Sequence, residues 1–247
     1  MKEHVIHEIM SIPIHAVTMK EAVAYAEILA GEEKTNIIAT ANAEMIMLAQ
    51  KDDELKDILQ HADMVVPDGA GVLWAGRELN KIFPERVTGA DYAEELLKTA
   101  KEKNWRVYFL GGNAGVAEKA VENMKKKYGD FEVAGIHNGY FDEKEETKII
   151  EDIRKNKTKL LLCAMGVPKQ EKWLWAHREE LGNVIAIGIG GVFDVMAGHL
   201  KRAPLWMRNH SLEWAYRLYL QPSRCMRMIS IPRFMWAVKK EKREKGL

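Results

Sequence analysis

The residues best suited to chemistry in this chain lie where short apolar runs break into polar or glycine-rich corners. The sharpest corner is Val65-Val66-Pro67-Asp68-Gly69-Ala70-Gly71. Two β-branched residues favour a strand. Pro67 withdraws a backbone donor and stops the ladder, and the glycines allow a tight turn before a helix-like run from Val72 to Leu79. Asp68 therefore falls on a strand-to-helix corner, at the edge where open α/β folds hold their ligands. Its carboxylate is a candidate for chemistry there, but on this local pattern alone the stronger reading is a cap for the following helix, a common post for Asp.

Further corners share this design: Thr40/Asn42/Glu44, Gly111/Gly112, Gly166/Lys169/Gln170 and Gly190/Gly191. Glycine corners that open helices present N–H groups and a positive dipole end, which suit a diphosphate. Taken singly, each glycine pair is a plain tight turn; their recurrence favours a phosphate or nucleotide site. The Gly111 corner lacks the G-x-G-x-x-G spacing, so NAD is not favoured. No H-E-x-x-H, clustered Cys/His or Asp-x-Asp is present to hold a metal against a nucleotide. A diphosphate would then be neutralised by N–H groups and by cations such as Arg86, Lys169, Lys201 and Arg202, each also readable as an ordinary surface charge.

The elements that must position these corners follow from the apolar pattern. Val5 to Val17 forms a strand pair around Pro13, and Thr18-Met-Lys-Glu21 is a capping box for a helix to about Gly31. A strand from Asn36 to Thr40 precedes a helical stretch from Glu44 to Gln60. After the Asp68 corner, Arg86-Val-Thr-Gly-Ala-Asp91 is a loop that opens a helix from Tyr92 to Lys103. Strands are expected at 106–110, 131–136, 160–165 and 184–189. Helices are expected up to Tyr128, over 143–156, and after Gly166-Val-Pro-Lys-Gln-Glu-Lys-Trp173. Apolar strands alternating with helices predict a Rossmann-like α/β fold: a mainly parallel sheet with helices on both faces.

The 247 residues are enough for one large core plus an appendage. The formal charge of +1 hides an asymmetry. Residues 201–247 carry 12 Lys/Arg against 3 Asp/Glu, and the first 200 carry 25 against 33. A basic tail on an acidic body points to an anionic partner. We divide the chain into a catalytic α/β domain, 1–198, and a basic amphipathic helical appendage, 199–247. Trp206, Trp214, Met226, Met228, Phe234, Met235 and Trp236 alternate with arginines there, the make-up of an interfacial membrane element. Arg224 and Arg227 are three apart, so on a helix they could grip one phosphate. A helix simply packed on the body and a nucleic-acid patch are the alternatives. The large apolar residues favour the membrane, with no nucleic-acid partner expected. Two distant cysteines, no signal-peptide core and no membrane-length apolar run predict a cytoplasmic protein, peripheral on the inner face of the membrane.

Several motifs in order resemble the WecG/TagA/CpsF glycosyltransferases. They are Thr40-Ala-Asn42-Ala-Glu44, Pro67-Asp68-Gly69-x-Gly71, Arg86-x-Thr-Gly89-x-Asp91, Phe109-Leu-Gly-Gly112 and Ala164-Met-Gly-x-Pro-Lys-Gln170-Glu171-x-Trp173. Gly190-Gly-x-Phe-Asp194, Lys201-Arg-Ala-Pro204-x-Trp206 and Leu212-Glu-Trp214-x-x-Arg217 complete the set, which spans about residues 10–230. The resemblance implies an inverting, metal-independent transferase with no cofactor beyond its UDP-sugar. In length and character the chain is similar to the wall teichoic acid branch. That branch moves N-acetyl-β-D-mannosamine from UDP-ManNAc to GlcNAc-diphosphoundecaprenol. Sister activities with UDP-ManNAcA or UDP-glucose, and a non-catalytic UDP-sugar-binding module, are the alternatives.

Under that resemblance Asp68 is the general base that takes the acceptor proton. Thr40 and Asn42 orient sugar hydroxyls, and Arg86 and Gln170 hold polar groups of donor or acceptor. Gly111, Gly112, Tyr140, Gly190 and Gly191 complete the substrate-binding set. Arg217, Arg224 and Arg227 steady the departing UDP, a catalytic task for the tail. The tail is expected to be mobile until it docks over the pocket at the membrane. Away from membrane its apolar surface would support a homo-oligomer.

Overall fold

The structure, a computed structural model, describes residues 4–204, 206–207, 212–220 and 230–247. Strands β1 (Ile6–Ile9) and β2 (Ile12–His15) form an antiparallel hairpin, with Ile6 opposite His15 and Ile9 opposite Ile12. The reversal lies at Met10 and Ser11, both with positive φ (50° and 64°), rather than around Pro13. A two-residue hairpin loop of this kind needs left-handed residues. The ring of proline fixes a negative φ, so Pro13 sits inside β2, opposite Glu8.

The main sheet has six strands, in the order β4 (Met64–Pro67), β3 (Asn36–Ala41), β8 (Ile185–Gly188), β7 (Leu160–Ala164), β5 (Val107–Gly111) and β6 (Val133–His137). Every pairing is parallel. Its central strands are apolar runs such as Leu160-Leu-Leu-Cys-Ala164 because both faces are covered. Alternate residues serve opposite faces. Ile38, Val66, Phe109, Leu162 and Ile187 pack against α1 (Met19–Leu29), α5 (Gly89–Glu102), α6 (Val116–Tyr128) and α9 (Val192–Met196). On the other face, Ala39 and Val65 meet α2 (Ala43–Ala49), α3 (Asp53–His61) and α4 (Ala70–Glu78), while Tyr108, Leu161 and Ala186 meet α7 (Glu143–Lys155) and α8 (Lys169–Ala176). The doubly covered parallel sheet is the expected fold.

Two helix boundaries differ from the sequence pattern for a local reason. The single run expected from Glu44 to Gln60 is α2 and α3, because the Asp52 side chain accepts the Leu55 N–H at 3.1 Å and starts a new helix. Helix α5 begins at Gly89 rather than Tyr92, because Thr88 Oγ1 accepts the Asp91 N–H and caps it there.

Beyond residue 200 the chain forms helices Glu213–Leu220 and Ser230–Glu244. Phe234 and Val238, one turn apart, are fully buried in the cluster that holds Ala43, Ile46 and Val72. Lys242 pairs with Glu78 at 3.2 Å, and a Glu241 carboxylate oxygen accepts the Met10 N–H at 3.2 Å. The last helix is thus docked on α2 and α4. Among the described residues no helix is long and apolar enough to cross a membrane.

Candidate active site

Because all six strands are parallel, the corners predicted to carry chemistry gather at one edge of the sheet. Ala41 of β3 lies beside Pro67 of β4, and the Asp68 N–H donates to the Ala41 carbonyl at 2.8 Å. Asn42 and Asp68 are therefore the first residues past two neighbouring strand ends. Asn42 caps α2 by accepting the Met45 N–H at 3.0 Å, so its NH2 is the end it can offer a ligand. Helix α4 is capped by Gly69, at φ 94°, with no side-chain cap hydrogen bond. Asp68 is not its cap. Its half-buried carboxylate instead faces the first turn of α5, where Oδ2 lies 3.4 Å from the Gly89 N–H, a donor at the positive end of a 14-residue helix.

The remaining predicted residues are placed as follows. The buried Thr40 hydroxyl donates to the Gly188 carbonyl at 3.1 Å, tying β3 to β8. Gly111 and Gly112 have φ of 136° and 71°, and a Cβ on Gly111 would meet the Ala164 carbonyl oxygen at 2.4 Å. The Gly112 N–H donates to that same carbonyl, and its own carbonyl accepts the Gly139 N–H. Tyr140 projects from the rim, 71% exposed. Next to it Lys169 Nζ donates to the Gly139 carbonyl at 2.9 Å and lies 5.2 Å from the centre of the Phe141 ring. The Gln170 side chain, buried beneath, accepts N–H bonds from Gly166 and Gly190 at 3.0 Å each. Gly191 caps α9.

The loop from Arg86 to Asp91 is held by the tail segment. Arg202 makes a bidentate pair with Asp91, at 2.6 and 2.8 Å. Arg86 lies 3.7 Å from the Glu213 carboxylate, both side chains largely buried. Arg86 and Arg202 are thus engaged by carboxylates rather than standing as open surface charges. Arg217 lies on the Glu213–Leu220 helix. Arg224 and Arg227 lie outside the described residues. Among the described residues no group of three His, Cys, Asp or Glu side chains is placed to hold a metal.

The sequence matches the profile of the Glycosyl transferase WecG/TagA/CpsF family over residues 7–246. The chain belongs to this family. Among its relatives is the N-acetylglucosaminyldiphosphoundecaprenol N-acetyl-beta-D-mannosaminyltransferase of Bacillus subtilis (strain 168). It is 35% identical over 209 residues, which are 85% of this chain and 81% of that one. The enzyme of the same name from Staphylococcus aureus (strain NCTC 8325 / PS 47) is 31% identical over 239 residues, 96% of this chain and 93% of that one. Family membership makes this a glycosyltransferase.

One residue quoted in the motifs, Glu171, carried no role in the sequence reading of this glycosyltransferase. Glu171 is 2% exposed in the first turn of α8, where burial pushes its carboxyl up to about 7. Its signal was positional: Glu171 and Leu174 are three apart, so the acid shares the inward face of a helix that buries Trp173 and Leu174. A groove of about 620 Å³ bordered by Arg106, Arg154, Lys157 and Lys159 opens at the opposite edge, where strands begin. None of the predicted site residues borders it.

Proposed function

We propose that this chain transfers N-acetyl-β-D-mannosamine from UDP-ManNAc to GlcNAc-diphosphoundecaprenol by a single, inverting displacement without a metal. The juxtaposition of Asp68 and Asn42 on adjacent strand ends carries this proposal. In such a displacement the acceptor hydroxyl must lose its proton as it attacks the anomeric carbon. Asp68 is the carboxylate at the edge that takes it. Asn42 donates to a sugar oxygen, and Tyr140, Arg86 and the glycine corners, which Gln170 holds from beneath, shape the donor pocket. Negative charge that develops on the departing UDP is met by the cations of residues 199–247, Arg217, Arg224 and Arg227. The names of the relatives supply the sugar and the lipid acceptor.

We place the protein at the inner face of the cell membrane, with residues 199–247 as its contact. Trp206, Trp214, Tyr219 and Trp236 are exposed on that appendage among its basic residues, the pairing of apolar and cationic groups that anionic lipid surfaces hold. Away from lipid the same exposed side chains are the surface on which copies would associate.

The test is UDP release with purified GlcNAc-diphosphoundecaprenol, offering UDP-ManNAc, UDP-GlcNAc and UDP-glucose, with and without EDTA. Turnover of UDP-ManNAc unaffected by EDTA supports the proposal. Preference for another donor identifies a sister activity, and UDP binding with no transfer to any acceptor leaves a binding module instead.

A further inference from the structure

Beneath the glycine corners lies a buried pair, Glu171 and the Gln170 expected from the sequence to hold a polar group of the substrate, whose amide is instead engaged at both ends within the protein. Gln170 and Glu171 are 1% and 2% exposed. Gln170 Nε2 donates to Glu171 Oε1 at 2.7 Å, while Gln170 Oε1 accepts from two backbone N–H groups, Gly166 after β7 and Gly190 after β8. A single amide oxygen therefore fastens two neighbouring corners of the active edge. The pair also presses on β8: a Cβ at Gly188 would lie 2.6 Å from Gln170 Nε2 and 2.8 Å from Glu171 Oε1. The Gly188 carbonyl accepts the Thr40 hydroxyl, a Cβ at Gly89 would lie 3.3 Å from the Thr40 side chain, and the Gly89 N–H faces Asp68. Close neighbours thus line the way from Glu171 to the carboxylate proposed to take the acceptor proton.

An amide side chain is nearly symmetric in shape but not in hydrogen bonding. Turned over, Gln170 would bring its NH2 against two N–H donors, and both corners would lose their acceptor. The two N–H donors hold its oxygen end, and the acceptor that holds its NH2 end is Glu171 Oε1. We propose that Glu171 is a positioning residue of the transfer reaction. It touches no substrate, and it fixes the Gln170 amide so that the Gly166 and Gly190 corners hold their geometry. Keeping an acid here is costly. Its carboxyl is raised to about 7 by burial, and its second oxygen, Oε2, has no hydrogen-bond partner. A leucine would fill the space without that cost, so the acceptor atom is what the position requires.

This inference rests on the proposed transferase reaction for its kinetic readout and on geometry alone for its structural one. Three variants separate reach from charge. Glu171→Gln keeps an acceptor at the same reach without charge, Glu171→Asp keeps charge but withdraws the acceptor by one methylene, and Glu171→Leu removes it. Glu171→Gln should keep kcat within about threefold of wild type. Glu171→Asp and Glu171→Leu should lose about 10–100-fold in kcat, the range for misplacement around a reacting centre, with a smaller change in donor KM. Hydrogen exchange followed by mass spectrometry should speed up at peptides covering Gly166 and Gly190 in the Asp and Leu variants, and not in the Gln variant. Wild-type kcat in Glu171→Asp, or a Gln variant as impaired as the Leu variant, would overturn the proposal. Unchanged exchange at both corners in Glu171→Asp would do the same. If the wild type transfers no sugar, the reaction assignment fails, and the exchange pattern still decides what Glu171 holds. Should Glu171→Leu not fold, the Asp and Gln pair carries the test alone.

Discussion

Replacing Asp68 by asparagine separates the chemistry of this site from its architecture. Asn has the same shape, and its carbonyl oxygen can still accept the Gly89 N–H, which at 3.4 Å is a long contact. The side chain is half-buried at a corner whose backbone is fixed by the Asp68 N–H bond to Ala41 and by Gly69 at φ 94°. Weakening this contact is worth about 1 kcal/mol in stability, the scale of one neutral hydrogen bond. Turnover should suffer far more. A positioned general base contributes about 10²–10⁴ in rate, or about 3–5 kcal/mol at 1.36 kcal/mol per decade. The two magnitudes differ enough to be read independently. UDP release with the lipid-linked acceptor measures the first-order loss, calorimetric titration with UDP measures binding, and urea unfolding measures stability. The expected outcome is turnover at 1% of wild type or lower, UDP affinity within about threefold, and an unfolding free energy within about 1 kcal/mol of wild type. If Asp68→Asn keeps more than a tenth of the rate, Asp68 is not the base. If UDP affinity falls in step with the rate, the carboxylate binds donor rather than moving a proton.

Three further expectations follow from particular contacts. Phe234→Ala removes a fully buried ring between the last helix and α2/α4 and should cost about 3–5 kcal/mol in urea unfolding; a cost under about 1 kcal/mol would show that this helix contributes no core in the isolated protein. His15 is buried, which lowers its pKa below 6.5, and its Nδ1 accepts the Val65 N–H at 3.2 Å, so the folded state prefers the neutral ring. The unfolded chain then binds the extra proton, so this contribution is present above about pH 6.5 and is lost as pH falls below it. His15→Asn should flatten that part of the stability curve, and an unchanged slope would assign it elsewhere. Full-length protein should sediment with vesicles containing anionic lipid and be released as salt rises, since each Lys/Arg near such a surface contributes about 1 kcal/mol and is screened. Equal binding to neutral vesicles, or indifference to salt, would remove the electrostatic basis for the tail's membrane role.

The fold was legible because a parallel sheet buried on both faces must be written as apolar runs, and Asn36-Ile-Ile-Ala-Thr-Ala41 and Ile185-Ala-Ile-Gly188 are such runs. Their corners were legible for the same reason, since polar and glycine residues there interrupt an otherwise apolar text. Long-range pairing was not. Arg202 and Asp91 are 111 positions apart, and each alone is an ordinary surface charge. The Gln170–Glu171 pair was hidden because burial of an acid cannot be seen in one side chain's type. It depends on Gly188 leaving room for two side chains that a Cβ would exclude.

The tail shows most clearly why composition runs out. Its last helix carries two apolar sets at once. Phe234 and Val238 lie one turn apart and enter the core, whereas Met235 and Trp236 turn outward, the latter 68% exposed. A sequence read as one amphipathic stripe cannot divide these sets, since both follow the helical period. Once Phe234 and Val238 are assigned to the body, a folded core no longer explains Trp236. A large ring left exposed among lysines on a helix already anchored by its other face is what the membrane proposal needs. Trp236→Glu therefore separates the two sets. It should leave urea unfolding unchanged while weakening vesicle binding, and Phe234→Ala should do the reverse in order of magnitude. If Trp236→Glu destabilises the fold as Phe234→Ala does, the outward set belongs to the core after all, and the lipid surface must be met by other residues.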